Sequence, residues 1–155
     1  MANVPYPGHV RTGQILSGQI DLSELASMGM AVGTAFDTIT EGDALYASRT
    51  TPNYYARALA TGTGTMPVIG VAMATAASGA GVRVMTAPGR KQYSGYNFSG
   101  FLGQEVYISP ATRGALEVNT TTVSGNYVQV VGYVDTFDTV YFRPTMVLQR
   151  GGPLY

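Results

Sequence analysis

The sequence predicts an all-β fold: a small β-barrel or sandwich built from two repeated β units, with an extended arm before it and an extended tail after it. Short runs of β-branched and aromatic residues alternate with turns rich in Gly, Pro, Thr and Ser, at the spacing of about 8–12 residues that is typical of such folds. Several of these runs also recur along the chain. Hydrophobic residues fill 45% of the 155 positions, which is enough for a packed core.

The repeat consists of three matched elements in the same order, each of them short and largely apolar. They are residues 42–48 and 103–109 (GDALYAS and GQEVYIS), residues 68–71 and 130–133 (VIGV and VVGY), and residues 82–85 and 140–143 (VRVM and VYFR). The first two recur at offsets of 61 and 62 residues. Because similarity at a nearly constant offset is the sign of internal duplication, we expect two copies of one β unit, at about residues 39–88 and 100–145.

The chain divides into an arm at residues 1–30, a β-barrel domain at residues 31–145 and a tail at residues 146–155. In the arm, Asp21 and Glu24 have the spacing of a capping box, which predicts a short helix there. In the domain, strands are expected within residues 30–40, 44–47, 54–60, 68–75, 82–86, 105–109, 115–119, 127–134 and 139–142. Residues 87–98 are expected to join the two units.

Composition excludes several classes of function. Nine basic residues balance nine acidic ones, which argues against non-specific nucleic-acid binding, since that needs clustered positive charge. The chain has no cysteine, so disulfides, thiolate metal sites and cysteine nucleophiles are excluded. No segment has the pattern of a signal peptide or the roughly 18 apolar residues of a membrane span, so we expect a soluble protein made inside a cell.

Candidates for chemistry are few. His9 is the only histidine and has no acidic neighbour in sequence, so we expect an exposed or interface residue rather than a catalytic base. Asp135 and Asp138 flank a predicted hairpin turn, where aspartate is a common turn former; calcium binding with backbone carbonyls is the alternative. We therefore expect no enzymatic activity, no cofactor and no metal.

The segment between the two units combines cations with aromatic rings. Arg90 and Lys91 precede Tyr93, Tyr96 and Phe98. Such a patch could bind single-stranded nucleic acid or a sugar. The interpretation that we favour is inter-subunit packing, in which Tyr93, Tyr96 and Phe98 pack against a neighbouring subunit.

The repeated pattern of Gly, Asp or Gln, an apolar residue, Tyr and Ser, followed by an apolar-Gly element and a closing strand, resembles a known family. It is similar to the capsid decoration (cement) proteins of tailed bacteriophages, of the small β-barrel or β-tulip type, over roughly residues 30–145. The resemblance implies a homotrimer on the outer surface of an icosahedral HK97-type shell. There it would bridge and stabilise major capsid protein subunits after synthesis in the bacterial cytoplasm, without binding nucleic acid or membrane.

Capsid contacts are expected where apolar and arginine side chains lie in segments that cannot form a core of their own. These residues are Val4, Tyr6, Val10 and Arg11 in the arm, and Arg143, Leu148, Arg150 and Tyr155 toward the tail. The alternative function is a head-fibre, tail-fibre or receptor-attachment module, which aromatic residues grouped at one end of the barrel would favour. A neck or tail-tube component, and an enzyme with two acidic residues brought together in a cleft, are further alternatives.

Overall fold

The computed structural model describes residues 29–119 and 125–149, and within them it confirms the predicted all-β class. A single turn of 3-10 helix at Thr63–Thr65 interrupts the strands. The strands are β1 (Met30–Ala35), β2 (Ala44–Ala47), β3 (Tyr54–Arg57), β4 (Gly70–Ala72), β5 (Gly81–Met85), β6 (Gly89–Gln92), β7 (Glu105–Ile108), β8 (Leu116–Glu117), β9 (Tyr127–Val128), β10 (Val130–Thr136), β11 (Thr139–Phe142) and β12 (Leu148–Gln149). The capping box at Asp21 and Glu24 lies outside the described residues.

The first five strands form a closed barrel in the order β1-β3-β2-β4-β5. All neighbours are antiparallel except β1 and β3, whose parallel pairing, Thr34 with Tyr54 and Ala35 with Tyr55, closes the barrel. The barrel interior is lined mainly by small or branched side chains. These are Ala35, Ile39, Leu45, Ala72, Ala76, Val82 and Val84.

The second half forms a five-stranded antiparallel sheet in the order β6-β11-β10-β7-β8, which stays open. Strands β9 and β12 form a separate two-stranded sheet. A single strand over residues 127–134 was expected, and this is wrong. The chain is interrupted at Gln129, so Tyr127 and Val128 pair with β12 while the residues from Val130 onward pair with β7 and β11.

The two sheets have the same strand order. Read from β3, the closed barrel runs β3-β2-β4-β5-β1; read from β8, the open sheet runs β8-β7-β10-β11-β6. The registers correspond as well, because Leu45 lies opposite Gly70 in the barrel and Val106 lies opposite Gly132 in the open sheet. The same correspondence pairs Val140 with Val84. The sequence comparison instead aligns Val140 with Val82, two residues earlier. Internal duplication stays a prediction, which these registers support.

The repeated Gly and Ser have the same local roles in both halves. Gly42 and Gly103 adopt φ of +85° and +75°, a region that favours glycine. The N–H of Gly42 donates to the carbonyl oxygen of Ala72 in β4, and that of Gly103 donates to the carbonyl oxygen of Val134 in β10. The side chains of Ser48 and Ser109 accept hydrogen bonds from backbone N–H groups two and three residues later. The requirements of the turns therefore explain why both copies of the motif have Gly at the first position and Ser at the last.

The larger core lies between the outer surface of the barrel and the inner surface of the open sheet. Barrel strands β2, β4 and β5 contribute Ala44, Val71 and Met85 to this core, and the open sheet contributes inward-facing side chains such as Val106 and Phe142. Adjacent residues of these barrel strands point to opposite faces, so the strands are buried on both sides. The inner face of the first sheet thus forms the interior of the closed barrel. The inner face of the open sheet instead packs against the outside of that barrel.

Two strands were missed in the sequence, β12 in the predicted tail and β6 in the predicted connection. Residues 89–92, expected to be part of a connection, form β6, which pairs with β11 along its whole length. Its pattern of Gly, Arg, Lys and Gln has no apolar alternation. Only pairing with β11 reveals that Lys91 faces inward and that Arg90 and Gln92 face outward.

Candidate interaction surfaces

A groove of about 1030 Å³ runs along the junction between the barrel and the second half of the chain. Its lining is largely apolar and comes from three separated segments. These are Arg49, Thr63 and residues 66–69 from the barrel half, Tyr127 and Gln129 from the β9 region, and residues 144–147 from the segment before β12. Because the groove is open to solvent, it can receive an apolar segment of a partner.

Gln129 fixes the floor of this groove. Its side chain is almost completely buried. The amide oxygen accepts a hydrogen bond from the N–H of Val68 at 2.8 Å, and the amide nitrogen donates to the carbonyl oxygens of Val68 at 3.2 Å and of Thr145 at 2.9 Å. At the rim, the guanidinium of Arg49 donates to the carbonyl oxygen of Met66 at 2.9 Å. One buried amide therefore ties together the two segments that face each other across the groove.

The segment that follows β11 carries exposed apolar side chains beside the groove. Met146 is 81% exposed and Leu148, in β12, is 64% exposed. Of the tail residues predicted to contact a capsid, Arg143 and Leu148 are described and both are exposed. Arg150 and Tyr155, and the arm residues Val4, Tyr6, Val10 and Arg11, lie outside the described residues.

The aromatic cluster predicted for inter-subunit packing lies largely within the chain's own fold. Phe98 is only 6% exposed and belongs to the core between the sheets. The ring of Tyr96 lies 5.5 Å from that of Phe98, and its hydroxyl donates to the carbonyl oxygen of Gly42 at 2.7 Å. Burial raises the pKa of this hydroxyl. Tyr93, which meets Tyr96 edge to face at 5.2 Å, is partly exposed.

Beside these rings is a polar cleft of about 380 Å³ between the barrel and the loop that precedes β8. Asp43 and Arg57 line it, and the Nε of Arg57 is 3.2 Å from Asp37, whose other carboxylate oxygen is buried without a partner. Burial raises the pKa of Asp43, although a hydrogen bond from the Thr40 N–H and the charge of Arg57 both lower it. A carboxylate, a guanidinium and a tyrosine in one cleft can hydrogen-bond a polar ligand.

The cations of the connecting segment are paired within the chain. Lys91 is 4% exposed and its ammonium donates to Glu41. The Nε of Arg90 lies 3.0 Å from Asp135. The two cations therefore do not form the exposed basic patch that binding of single-stranded nucleic acid would need.

The hairpin aspartates are held by hydrogen bonds at the turn. Asp138 accepts hydrogen bonds from the side chains of Gln92, Thr136 and Thr139, and these lower the pKa of its carboxyl. Within residues 29–119 and 125–149, no group of three or more His, Asp or Glu side chains is arranged to hold a metal ion. No helix in this part of the chain has the length and apolar character to cross a membrane.

Comparison of the chain with protein-family models, with curated proteins and with solved structures found no match.

Sequence reasoning missed two features of the groove. Gln129 lies between Val128 and Val130, where a single amide fits the polar position of an alternating strand, so the sequence carries no signal of the break. Met146 lies between two residues that were predicted to contact a partner, Arg143 and Leu148, and it is the most exposed large apolar side chain of the described chain.

Proposed function

We propose that this chain is a structural virion protein that decorates and stabilises the outer surface of a tailed-phage icosahedral capsid, bridging major capsid protein subunits as a homotrimer. The observation that supports this proposal best is the open apolar groove flanked by Met146 and Leu148. Exposed side chains of this size, next to a concave apolar surface, are typical of a site that a partner protein covers.

The strand next to the groove can also accept a partner strand. Within the described residues β12 pairs only with β9, so no described strand lies along its other edge. Two strands by themselves are marginally stable in water. A capsid segment that adds a third strand would supply backbone hydrogen bonds, and its side chains could enter the groove.

A trimer would strengthen such a contact without new chemistry. Three copies that engage three equivalent capsid sites convert modest single affinities into a much tighter attachment through effective concentration. This is the physical logic of a protein that must hold a shell together while carrying out no reaction.

The test is co-sedimentation of the purified protein with expanded capsids of the phage that encodes it, with its mass measured by light scattering. We expect a mass near 48.9 kDa, three times 16.3 kDa, and saturable binding. Met146→Asp and Leu148→Asp should each weaken binding by about tenfold or more. Leu102→Asp, which changes a similarly exposed leucine that does not line the groove, is the matched control and should bind as the wild type does.

Failure of the wild-type protein to sediment with these capsids would overturn the proposed role. Binding that all three aspartate variants retain equally would keep the role but remove the groove from it.

A second candidate is an attachment module that binds a glycan, and the polar cleft at Asp43 and Arg57 favours it. Its lining of Tyr93, Asp43 and Arg57 offers groups that can hydrogen-bond sugar hydroxyls. NMR titration with methyl glycosides of glucose, galactose and mannose tests it. Shifts confined to the cleft, and lost in Asp43→Asn, would support this function over capsid decoration.

A further inference from the structure

We propose that the outer face of the open sheet is a second interaction surface, at which two copies of this chain meet face to face about a two-fold axis parallel to the strands. This contact is separate from the groove and does not depend on the proposed capsid role. Four side chains in a row across the sheet carry the inference: Arg90, Tyr141, Tyr133 and Glu105.

Strand register places these four residues side by side. Arg90 of β6 lies opposite Tyr141 of β11, Tyr141 lies opposite Tyr133 of β10, and Tyr133 lies opposite Glu105 of β7. Directly opposite residues of antiparallel strands point to the same face. The rings of Tyr133 and Tyr141 are stacked, with centroids 5.1 Å apart and planes 14° from parallel. Tyr133 is 41% exposed, and Arg90 and Glu105 are exposed at the ends of the row.

The ends of the row are held in place by neighbours. Asp135 binds the guanidinium of Arg90 at 3.0 Å, and the hydroxyl of Tyr107 donates to the carboxylate of Glu105 at 2.6 Å. Ordered aromatic and charged side chains lose less conformational entropy when a partner covers them. The row is thus prepared for contact.

The barrel has a row of residues at the corresponding positions, and that row is covered by the open sheet. The corresponding residues there are Met30, Met85, Val71 and Ala44, which lie opposite one another in the same register. All four lie at the core between the two sheets, where the inner face of the open sheet covers them. The same face of the second unit has no described element over it. It carries two tyrosines and an arginine, residue types that are enriched at interfaces between subunits, with Glu105 at one end of the row.

Charge order identifies the partner as a second copy. The row reads positive, tyrosine, tyrosine, negative. Although Asp135 pairs with the guanidinium of Arg90 from one side, 71% of the Arg90 side chain stays exposed and can meet a second carboxylate. A two-fold axis that passes between Tyr141 and Tyr133 brings Arg90 of one copy against Glu105 of the other, twice, and brings each Tyr133 against the other copy's Tyr141. A surface that is complementary to itself under a two-fold rotation is what an isologous contact requires.

The size of the face indicates how strong this contact is. Five strands at a spacing of about 4.8 Å and strands of about four residues give a face of roughly 320 Å². Two such faces would bury roughly 650 Å², which corresponds to a weak and transient contact. We therefore expect association that grows with protein concentration, and that adds up where many copies are held close together.

Sedimentation velocity at protein concentrations from about 10 µM to about 1 mM tests the proposal by charge exchange. The wild type should show a concentration-dependent doubling of its basal mass. Arg90→Glu and Glu105→Arg should each weaken the doubling by about tenfold or more, since each places like charges opposite one another. The double variant should restore it, and an equimolar mixture of the two single variants should associate again, because every contact in the mixed pair then joins opposite charges.

Arg83→Glu is the matched control, since it reverses an exposed arginine on barrel strand β5 and should leave the doubling unchanged. Wild-type protein whose mass does not depend on concentration would overturn the proposal. So would single variants that fail to recover when mixed, even though circular dichroism shows that they are folded. The capsid-binding experiment depends on different residues, so either proposal can fail while the other stands.

Discussion

Two glycines of the repeated motifs serve different physical needs. Gly103 adopts φ of +75°, and a side chain there would meet no atom within 4 Å. Gly132 has no such backbone conformation, but a Cβ placed on it would overlap the carbonyl oxygen of Tyr141 on the neighbouring strand. The first glycine is required by the turn, and the second by the close approach of two backbones.

We expect Gly132→Ala to destabilise the fold by about 3 kcal/mol, because the backbone of β11 must move to admit the methyl group. Gly103→Ala should cost only about 1 kcal/mol, the strain of a left-handed conformation for alanine. Urea unfolding followed by circular dichroism measures both. A loss at Gly103 that equals or exceeds the loss at Gly132 would contradict this assignment of roles.

Asp43 couples stability to pH. Burial raises the pKa of its carboxyl above the ordinary value of 3.8, so between 3.8 and the raised value the folded state binds more protons than the unfolded state. Stability contributed by this group is therefore lost as pH rises through that range. At neutral pH the ionised carboxylate is the unfavourable form in the cleft.

Asp43→Asn should accordingly gain stability relative to the wild type as pH rises from 3 to 7. The amide oxygen can still accept the hydrogen bond from Thr40, and the neutral side chain avoids the desolvation of a charge. Urea unfolding of both proteins at pH 3, 5 and 7 measures the difference. A difference that does not change with pH, or that falls as pH rises, would count against this reading of the site.

Among the elements, the break between β9 and β10 shapes the groove. The backbone of residues 127–134 could continue as one strand, but Gln129 turns inward and bonds backbone groups of Val68 and Thr145. Val68 and Thr145 belong to no strand. The side-chain amide of Gln129 therefore supplies the hydrogen bonds that a paired strand would otherwise supply to their backbone groups. The two-stranded sheet of β9 and β12 exists because this residue diverts the chain.

Gln129→Leu should destabilise the protein by about 3 kcal/mol, because the two buried backbone groups of Val68 and the partly buried carbonyl of Thr145 lose a partner that leucine cannot replace. Gln92→Leu changes an exposed glutamine with one side-chain hydrogen bond and should alter stability by about 0.5 kcal/mol or less. Chemical unfolding compares the two variants. If Gln129→Leu proved as mild as this control, Gln129 would not be the residue that holds the groove together.

At the scale of the whole molecule, one strand plan is used in two ways. In the barrel, β1 reaches β3 and the inner face closes on a small core of alanines, valines, Ile39 and Leu45. In the second unit, larger inward residues such as Phe142 face the outside of the barrel, and the sheet stays open. This nested arrangement leaves the outer face of the open sheet as the surface available to a further copy.

Local sequence determined the all-β class, the positions of most strands and the turns marked by Gly42, Gly103, Ser48 and Ser109. These features depend on alternation and turn chemistry within a few residues. The exposure of Arg143 and Leu148 was also expected from local character alone, and their contact with a capsid stays a prediction. Their exposure follows from the arginine-proline stop after β11 and the sparse strand pattern beyond it.

Only the tertiary structure decided which sheet closes, which strand β6 joins, and where the cations and aromatic rings go. The parallel pairing of β1 with β3, the burial of Lys91 against Glu41 across 50 residues and the placement of Phe98 in the core all depend on contacts between distant parts of the chain. The same holds for the row from Arg90 to Glu105, which four strands assemble. No local sequence pattern predicts these pairings, because the free energy that stabilises them comes from contacts between residues that are distant in sequence and meet only in the folded chain.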